Sequence, residues 1–307
     1  MSEPNVPEKP SDIRTAVREH YGKAAAEFKP ATQASCCGPA QSTNCCSKDV
    51  EEMSASKLYP ISELTTLPED VTGLSMGCGD PITLASLKPG QTVLDLGSGG
   101  GIDCFMAAKK VGETGHVIGV DMTAEMLEKA RANLNKLGFK NVEFRLGEIE
   151  YLPVADNSVD VIISNCVVNL SPDKPQVFRE AFRVLKSGGR LALSDIVTDG
   201  PLPQEIKDSL SAWAGCVAGA LDVKDYLTSL KEAGFADVQL TPVYFDQQTV
   251  DEYVKEIVTE AGSKQGRSLV ISDGVKSKVV ELSEDVDLGN KPIREAVFSA
   301  KITAHKP

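Results

Sequence analysis

Two groups of residues in this chain are spaced for chemistry, a glycine loop flanked by acids and a set of scattered cysteines. The run T-V-L-D-L-G-S-G-G-G places Gly97, Ser98, Gly99 and Gly101 just after Asp95. Glycines there let the backbone turn sharply and approach a ligand closely, and a helix starting beyond them offers free N–H groups to a carboxylate or phosphate. Asp121, in G-V-D-M, ends the next apolar run, where an acidic side chain accepts both hydroxyls of a ribose. A dinucleotide loop, G-x-G-x-x-G, would need its third glycine where Ile102 stands. Asp95, two residues before the first glycine, suits the cationic end of a ligand better than a pyrophosphate.

S-adenosylmethionine joins an α-amino group and a carboxylate to a nucleoside, and so suits this loop and both acids. The chain holds eight cysteines. Cys78 lies in M-G-C-G-D-P, Cys166 in S-N-C-V-V-N-L at the end of an apolar run, and Cys216 in W-A-G-C-V-A-G-A-L. Taken singly, Cys166 and Cys216 read equally as core packing, and Cys78 as an incidental thiol in a tight turn. No C-x-x-C zinc spacing applies to them. Together, three thiolates without histidine select soft, thiophilic centres. A trivalent metalloid bound by three sulfurs keeps a lone pair that can attack a sulfonium methyl in line, with no proton to remove. This agrees with only three histidines, His20, His116 and His305, in no suggestive constellation.

The elements that must position these groups follow from periodicity. Strands are expected at Thr92–Leu96, His116–Asp121, Val142–Leu146, Val159–Ser164 and Arg190–Ile196, alternating with helices at Ile102–Lys110, Ala124–Leu137 and Lys174–Leu185. Such βαβ units give an α/β fold with a Rossmann-like, mostly parallel sheet and helices on both faces. Further on, the pattern predicts a thin helix over Leu210–Leu221, helices at Leu227–Gly234 and Val250–Glu260, and strands at Val238–Phe245 and Ala296–Thr303, the last antiparallel. Ahead of the sheet, Ile13–Phe28 reads as a helix capped by Ser11, followed by a polar loop with Cys36-Cys37 and Cys45-Cys46. Three regions result: 1–57, helix and Cys-rich loop; 58–200, the ligand-binding part; and 201–307, acceptor-binding helices and the completion of the sheet.

The chain has 307 residues and a net charge of −12, which opposes nucleic-acid binding and a basic membrane-surface helix. No apolar run is long enough to span a bilayer, and the start MSEPNVPEKPSDIR lacks the apolar core of a secretory signal. A cytoplasmic protein with reduced thiols and no membrane partner is therefore expected, and a monomer.

Residues 90–197 resemble a class I S-adenosylmethionine-dependent methyltransferase, on L-P-V-A-D-N-S-V-D-V-I-I-S and R-E-A-F-R-V-L-K-S-G-G-R-L. That resemblance implies Asp95 and the glycines at the methionine end and Asp121 on ribose. It also implies Met122 against adenine, Glu148 and Ile149 at the adenine edge, and Asn165 facing the sulfonium. S-N-C-V-V-N-L-S-P-D-K and the G-C-G turn narrow the match to the arsenite methyltransferases, which it covers for most of the chain. Ser75 and Met76 before that turn, where animal members carry aromatics, resemble the shorter microbial members. The family implies methyl transfer to trivalent arsenic held by Cys78, Cys166 and Cys216. It also implies an upstream cysteine that pairs with Cys78 during the cycle, and thioredoxin or glutathione as reductant. Cys36, Cys37, Cys45 and Cys46 are the candidates, with Cys45 or Cys46 favoured by the shorter loop. In the family the first helix lies over the cofactor, which would bring Tyr21 across the site. The alternatives are a class I methyltransferase acting on carbon, nitrogen or oxygen of a small metabolite, and a thiol-rich metalloid-binding protein without turnover.

Overall fold

The computed structural model describes residues 10–28, 58–75, 77–202, 207, 213, 216, 218–244, 268–272, 277–281 and 296–307. Cys36, Cys37, Cys45, Cys46, the expected helix Val250–Glu260 and half of Leu210–Leu221 lie outside them.

Helix α1 (Pro10–Glu27) comes first. It begins at Pro10, so Ser11 sits inside the first turn and is not its cap; proline suits that place because its missing N–H would have no partner. Three short helices follow, α2 (Ile61–Leu64), α3 (Glu69–Thr72) and α4 (Pro81–Ala85), the last capped by Asp80. Then β1 (Thr92–Leu96), α5 (Ile102–Val111), β2 (His116–Asp121), α6 (Ala124–Leu137) and β3 (Val142–Leu146) alternate as periodicity expects. β4 (Val159–Asn165), a single 3₁₀ turn at Val168–Leu170, α7 (Lys174–Val184) and β5 (Leu185–Thr198) complete the parallel part. After it come β6 (Leu221–Asp222), α8 (Val223–Glu232), β7 (Ala236–Val243), the hairpin β8 (Ser268–Ser272) and β9 (Ser277–Glu281), and β10 (Val297–His305).

The main sheet runs β3-β2-β1-β4-β5-β10-β7, with β6 beside β5 and β10 antiparallel to both its neighbours. It is the mostly parallel sheet of class I methyltransferases, with an antiparallel C-terminal strand. Strands buried on both faces read as unbroken apolar runs because each alternate side chain meets a helix layer. Val93, Val161 and Ile163 face α5 and α6, with Phe105, Met106 and Leu127. Leu94, Leu96 and Ile162 face α7 and α8, with Phe178, Tyr226 and Leu230. β5 begins five residues before its expected start, because Gly188 and Gly189 bond the backbone of Lys306 at the far end of the chain. β8 and β9 form a separate two-stranded sheet. Among the described residues no helix is long and apolar enough to cross a membrane.

Candidate active site

The carboxyl ends of β1, β2 and β4 open on one cleft with about 980 Å³ of empty space. Gly97, Ser98, Gly99 and Asp121 line it, with Met122, Ile149, Asn165 and Cys166. α1 crosses above, contributing Arg14, Val17 and Tyr21. Its Arg14 guanidinium bonds the buried Glu150 at 3.2 Å, and Arg18 pairs with Glu148 at 3.2 Å.

The glycine loop is tight because of what surrounds it. Gly97 has a φ of 72°, and a Cβ there would lie 2.4 Å from the Val167 side chain. Asp121 holds the loop from the second strand, accepting from Gly99 N at 2.9 Å and from Thr123 N at 2.8 Å. Asp95 is 2 % exposed and sits one layer behind the cleft lining, accepting a hydrogen bond from the Cys104 thiol at 3.2 Å. The acid that reaches the lining is Asp103, in the first turn of α5. Burial raises its carboxyl to about 7 against the opposing hydrogen bonds of Tyr59 and Asn165. Burial, then Asp103, also raises Asp95 well above the carboxylate range. Glu148 stands outside this cleft, in a surface groove with Arg18 and Leu146, because its carboxylate turns to the arginines of α1. Glu150, two residues on, takes the place in the lining.

Asn165 lines the cleft, yet its amide is engaged by the G-C-G turn. Its Oδ1 accepts from Cys78 N at 2.9 Å and Gly79 N at 3.2 Å, while its Nδ2 donates to Gly79 O at 2.7 Å and to the Tyr59 hydroxyl at 2.8 Å. A Cβ on Gly77 would fall 2.2 Å from that amide, so only glycine lets the turn press so close. Tyr59 in turn donates to both Asp103 oxygens at 3.0 Å. Tyr59 and Asp103 escaped sequence reasoning: one stands outside any strong periodicity, and the other reads as an ordinary first-turn acid.

The cysteines gather at the same edge. Cys78 and Cys166, 88 residues apart in sequence, are joined in a disulfide with 5.9 Å between their Cα atoms. Cys78 thus pairs with Cys166 here, whereas the family resemblance implied an upstream partner. Cys216 donates its thiol hydrogen to the Cys166 carbonyl at 2.9 Å, and its sulfur lies 3.9 Å from the Tyr21 hydroxyl. Cys166 and Cys216 both hold left-handed backbone, with φ of 59° and 61°. Such a conformation costs a residue with a side chain about 1–3 kcal/mol, and persists where the surroundings over-determine it. At Cys216 Asn169 does so, its Nδ2 bonding both Ile196 O at 2.6 Å and Cys216 O at 3.3 Å. Burial first, then Asp195, pushes the Cys216 thiol up to about 12, so it is protonated at neutral pH. Lys174, buried 4.9 Å from the Trp213 ring centre, is lowered by burial to about 8 despite the pull of Asp195.

The chain's likeness to known proteins agrees with this geometry. A family profile described as a methyltransferase domain matches residues 87–234. An arsenite methyltransferase of Halobacterium salinarum is 47 % identical over 239 residues, 76 % of this chain and 60 % of that one. One from Aquipseudomonas alcaligenes is 40 % identical over 235 residues, 74 % of this chain and 63 % of its own length. The crystal structure of an arsenic(III) S-adenosylmethionine methyltransferase from Chlamydomonas reinhardtii superposes with a TM-score of 0.58 at 34 % identity, covering 80 % of this chain and 73 % of that one. The chain belongs to the arsenite methyltransferase family. It spans about three fifths of the length of the curated relatives it matches.

The cleft also fits the methyl donor of that family on its own features. The hydroxyls of Ser75 and Ser98, both in the lining, are buried without a hydrogen-bond partner among the described residues. A Cβ on Gly99 would meet nothing within 4 Å, so the loop faces open space there. The acids Asp103 and Asp121 stand in the lining, and Met122, Met126 and Ile149 give it an apolar floor. An anionic lining with orphaned hydroxyls and an apolar end suits a cationic amino-acid nucleoside.

Proposed function

We propose that this protein methylates trivalent arsenic, using S-adenosylmethionine as donor and Cys78, Cys166 and Cys216 as ligands of the acceptor. The reading is supported by Cys166 in the lining of the cleft that the glycine loop opens, with Cys78 and Cys216, both distant in sequence, in contact with it. When bound, S-adenosylmethionine supplies an electrophilic methyl group on a sulfonium. Asp103 and the Ser98 hydroxyl would hold its amino-acid end, Asp121 its ribose, and Met122 and Ile149 its adenine. α1 closes over the donor and excludes water.

The acceptor half follows from thiol chemistry. Each protonated thiol condenses with an As–OH group, an As–S bond replacing an As–O bond as water leaves. Cys216, kept protonated by burial, supplies its own proton to that water. Arsenic bound by three sulfurs retains a lone pair, so the nucleophile needs no base, and alignment supplies the acceleration. Arsenic that has gained a methyl group is pentavalent. Two electrons from two thiolates return it to the trivalent state and leave a disulfide. A thiol reductant, thioredoxin or glutathione, must then open that bond, and a Cys78–Cys166 disulfide must likewise be opened before arsenic is bound. One of Cys45 and Cys46 would serve as the further redox cysteine.

The test is incubation of the reduced protein with arsenite, methyl-labelled S-adenosylmethionine and a dithiol. Label is expected in methylated arsenic, and Cys166→Ser and Cys216→Ser should each lower its yield at least ~100-fold while donor binding persists. Undiminished transfer in Cys166→Ser, or label passing to a small metabolite and not to arsenic, overturns the reading.

A further inference from the structure

One connected set of buried side chains joins the two halves of the cleft. Asp103 lines the donor side, and the turn around Cys78 carries an acceptor sulfur. Between them stand Tyr59, 3 % exposed, and the half-buried Asn165 amide. The set has a direction, because a phenol has a single proton. Tyr59 donates it to Asp103 at 3.0 Å to both oxygens, and accepts from Asn165 Nδ2 at 2.8 Å. Asn165 then receives Cys78 N at 2.9 Å, and the turn backbone abuts its amide so closely that Gly77 has no room for a Cβ. Burial and the adjacent Asp103 keep the phenol protonated, its pKa well above the ordinary value. Buried groups of this kind move together, since a hydrogen bond broken without replacement strands a polar atom.

We infer that Tyr59 is a positioning residue that couples the two substrates: a donor cation engaging Asp103 fixes Tyr59, Asn165 and through them the Cys78 turn. The inference deepens the proposed function and rests on its reading that the cleft takes S-adenosylmethionine. By linkage the coupling is reciprocal, so arsenic on Cys78 tightens donor binding by the same factor. Tyr59 touches neither reacting atom in this scheme. Its hydroxyl bridges Asp103 and Asn165, which also bond directly, and its removal leaves a side chain of the same shape.

The test uses the full reduced chain and Tyr59→Phe, read without turnover. Alkylation of Cys78 by a small maleimide is followed by mass spectrometry, with and without saturating S-adenosylmethionine, and donor affinity is measured by calorimetry. Wild type should show Cys78 alkylation slowed ~10-fold by the donor, and the variant a change under ~2-fold with donor affinity within ~3-fold of wild type. Hydrogen exchange at the Cys78 and Gly79 amides of wild type, slowed when donor binds, gives a second measure that needs no variant. A donor effect of wild-type size in Tyr59→Phe, as direct shielding of Cys78 would give, overturns the coupling, and so does unchanged alkylation or exchange in wild type. Absence of any donor binding overturns the underlying reading as well, which separates the two failures.

Discussion

Asp103 is the residue whose chemistry is most exposed to pH. Its carboxyl, raised to about 7 by burial, binds a proton in the ligand-free protein at pH values where an unfolded aspartate has lost it. The folded pKa lies above the unfolded one, so the native state holds the extra proton between ~4 and ~7. This group's contribution to stability is fully present below ~4 and is lost as pH rises through about 7. Asp103→Asn should therefore flatten part of the fall in stability between pH 5 and pH 8, read from urea midpoints; Asp195, raised to about 7, and Asp95 and Asp121, also raised, retain the rest. A cationic donor favours the carboxylate, so donor affinity should climb by up to ~10-fold per pH unit below 7 and level off above it. Calorimetry at pH 6 in two buffers of different ionisation enthalpy should show close to one proton released on binding. An unchanged affinity from pH 5.5 to 8 would remove Asp103 from the donor site. Asp121 was legible in the lining because it closes an apolar strand at the edge where α/β sheets bind ligands, whereas Asp95, read by the same rule, lies behind the lining. Asp103 was not: nothing in its local pattern says that the helix turns it back toward the loop it follows.

Among the elements, α1 has the most to do with access. It is joined to the rest of the fold at the cleft by charge, with Arg14 on Glu150 and Glu148 and Arg18 on Glu148, and by Ile13 and Val17, buried in one cluster with Leu170 and Ile196. Glu150 is 3 % exposed and also accepts from the Ser171 hydroxyl at 2.7 Å, so losing Arg14 leaves a buried carboxylate half satisfied. Arg14→Ala should cost ~1–3 kcal/mol of stability and quicken donor release, read as a lower melting temperature and a faster stopped-flow dissociation. The outer pair is half-exposed, so Arg18→Ala should change stability by less than ~1 kcal/mol. If the two variants behave alike, α1 is held by its apolar face and not by Arg14. The helix itself was readable from Val17 and Tyr21 at helical spacing, and β1 to β4 from their unbroken apolar runs. The early start of β5 was not, because the backbone groups it bonds belong to the last residues of the chain. Two-residue β6 is too short to carry any period.

For the molecule as a whole, the order of the sheet makes its last strand an interior one. β10 lies between β5 and β7, bonded on both edges, and its Ala300, Ile302 and Ala304 are fully buried against Leu191, Leu193 and Phe235 in the core on the α7 side. Ser299 on the same strand donates to the Cys78 carbonyl at 3.2 Å, so the end of the chain also braces the acceptor turn. Alternation of apolar and polar residues in β10 announced an antiparallel strand, but its insertion inside the sheet depends on pairings with the distant segments Arg190–Thr198 and Ala236–Val243, which no local pattern encodes. Ile302→Ala removes three buried carbons where helices and strands on every side limit collapse, and should cost ~2–5 kcal/mol in urea unfolding. The loss belongs to the whole sheet, so the midpoint should fall with the transition slope unchanged. Amide protection against exchange in β10 should then drop by the same free energy as protection in β1 and β4, strands that do not pair with β10. Protection that falls in β10 and β7 alone would mean that these strands open as a unit of their own, and that the brace on Cys78 opens with them.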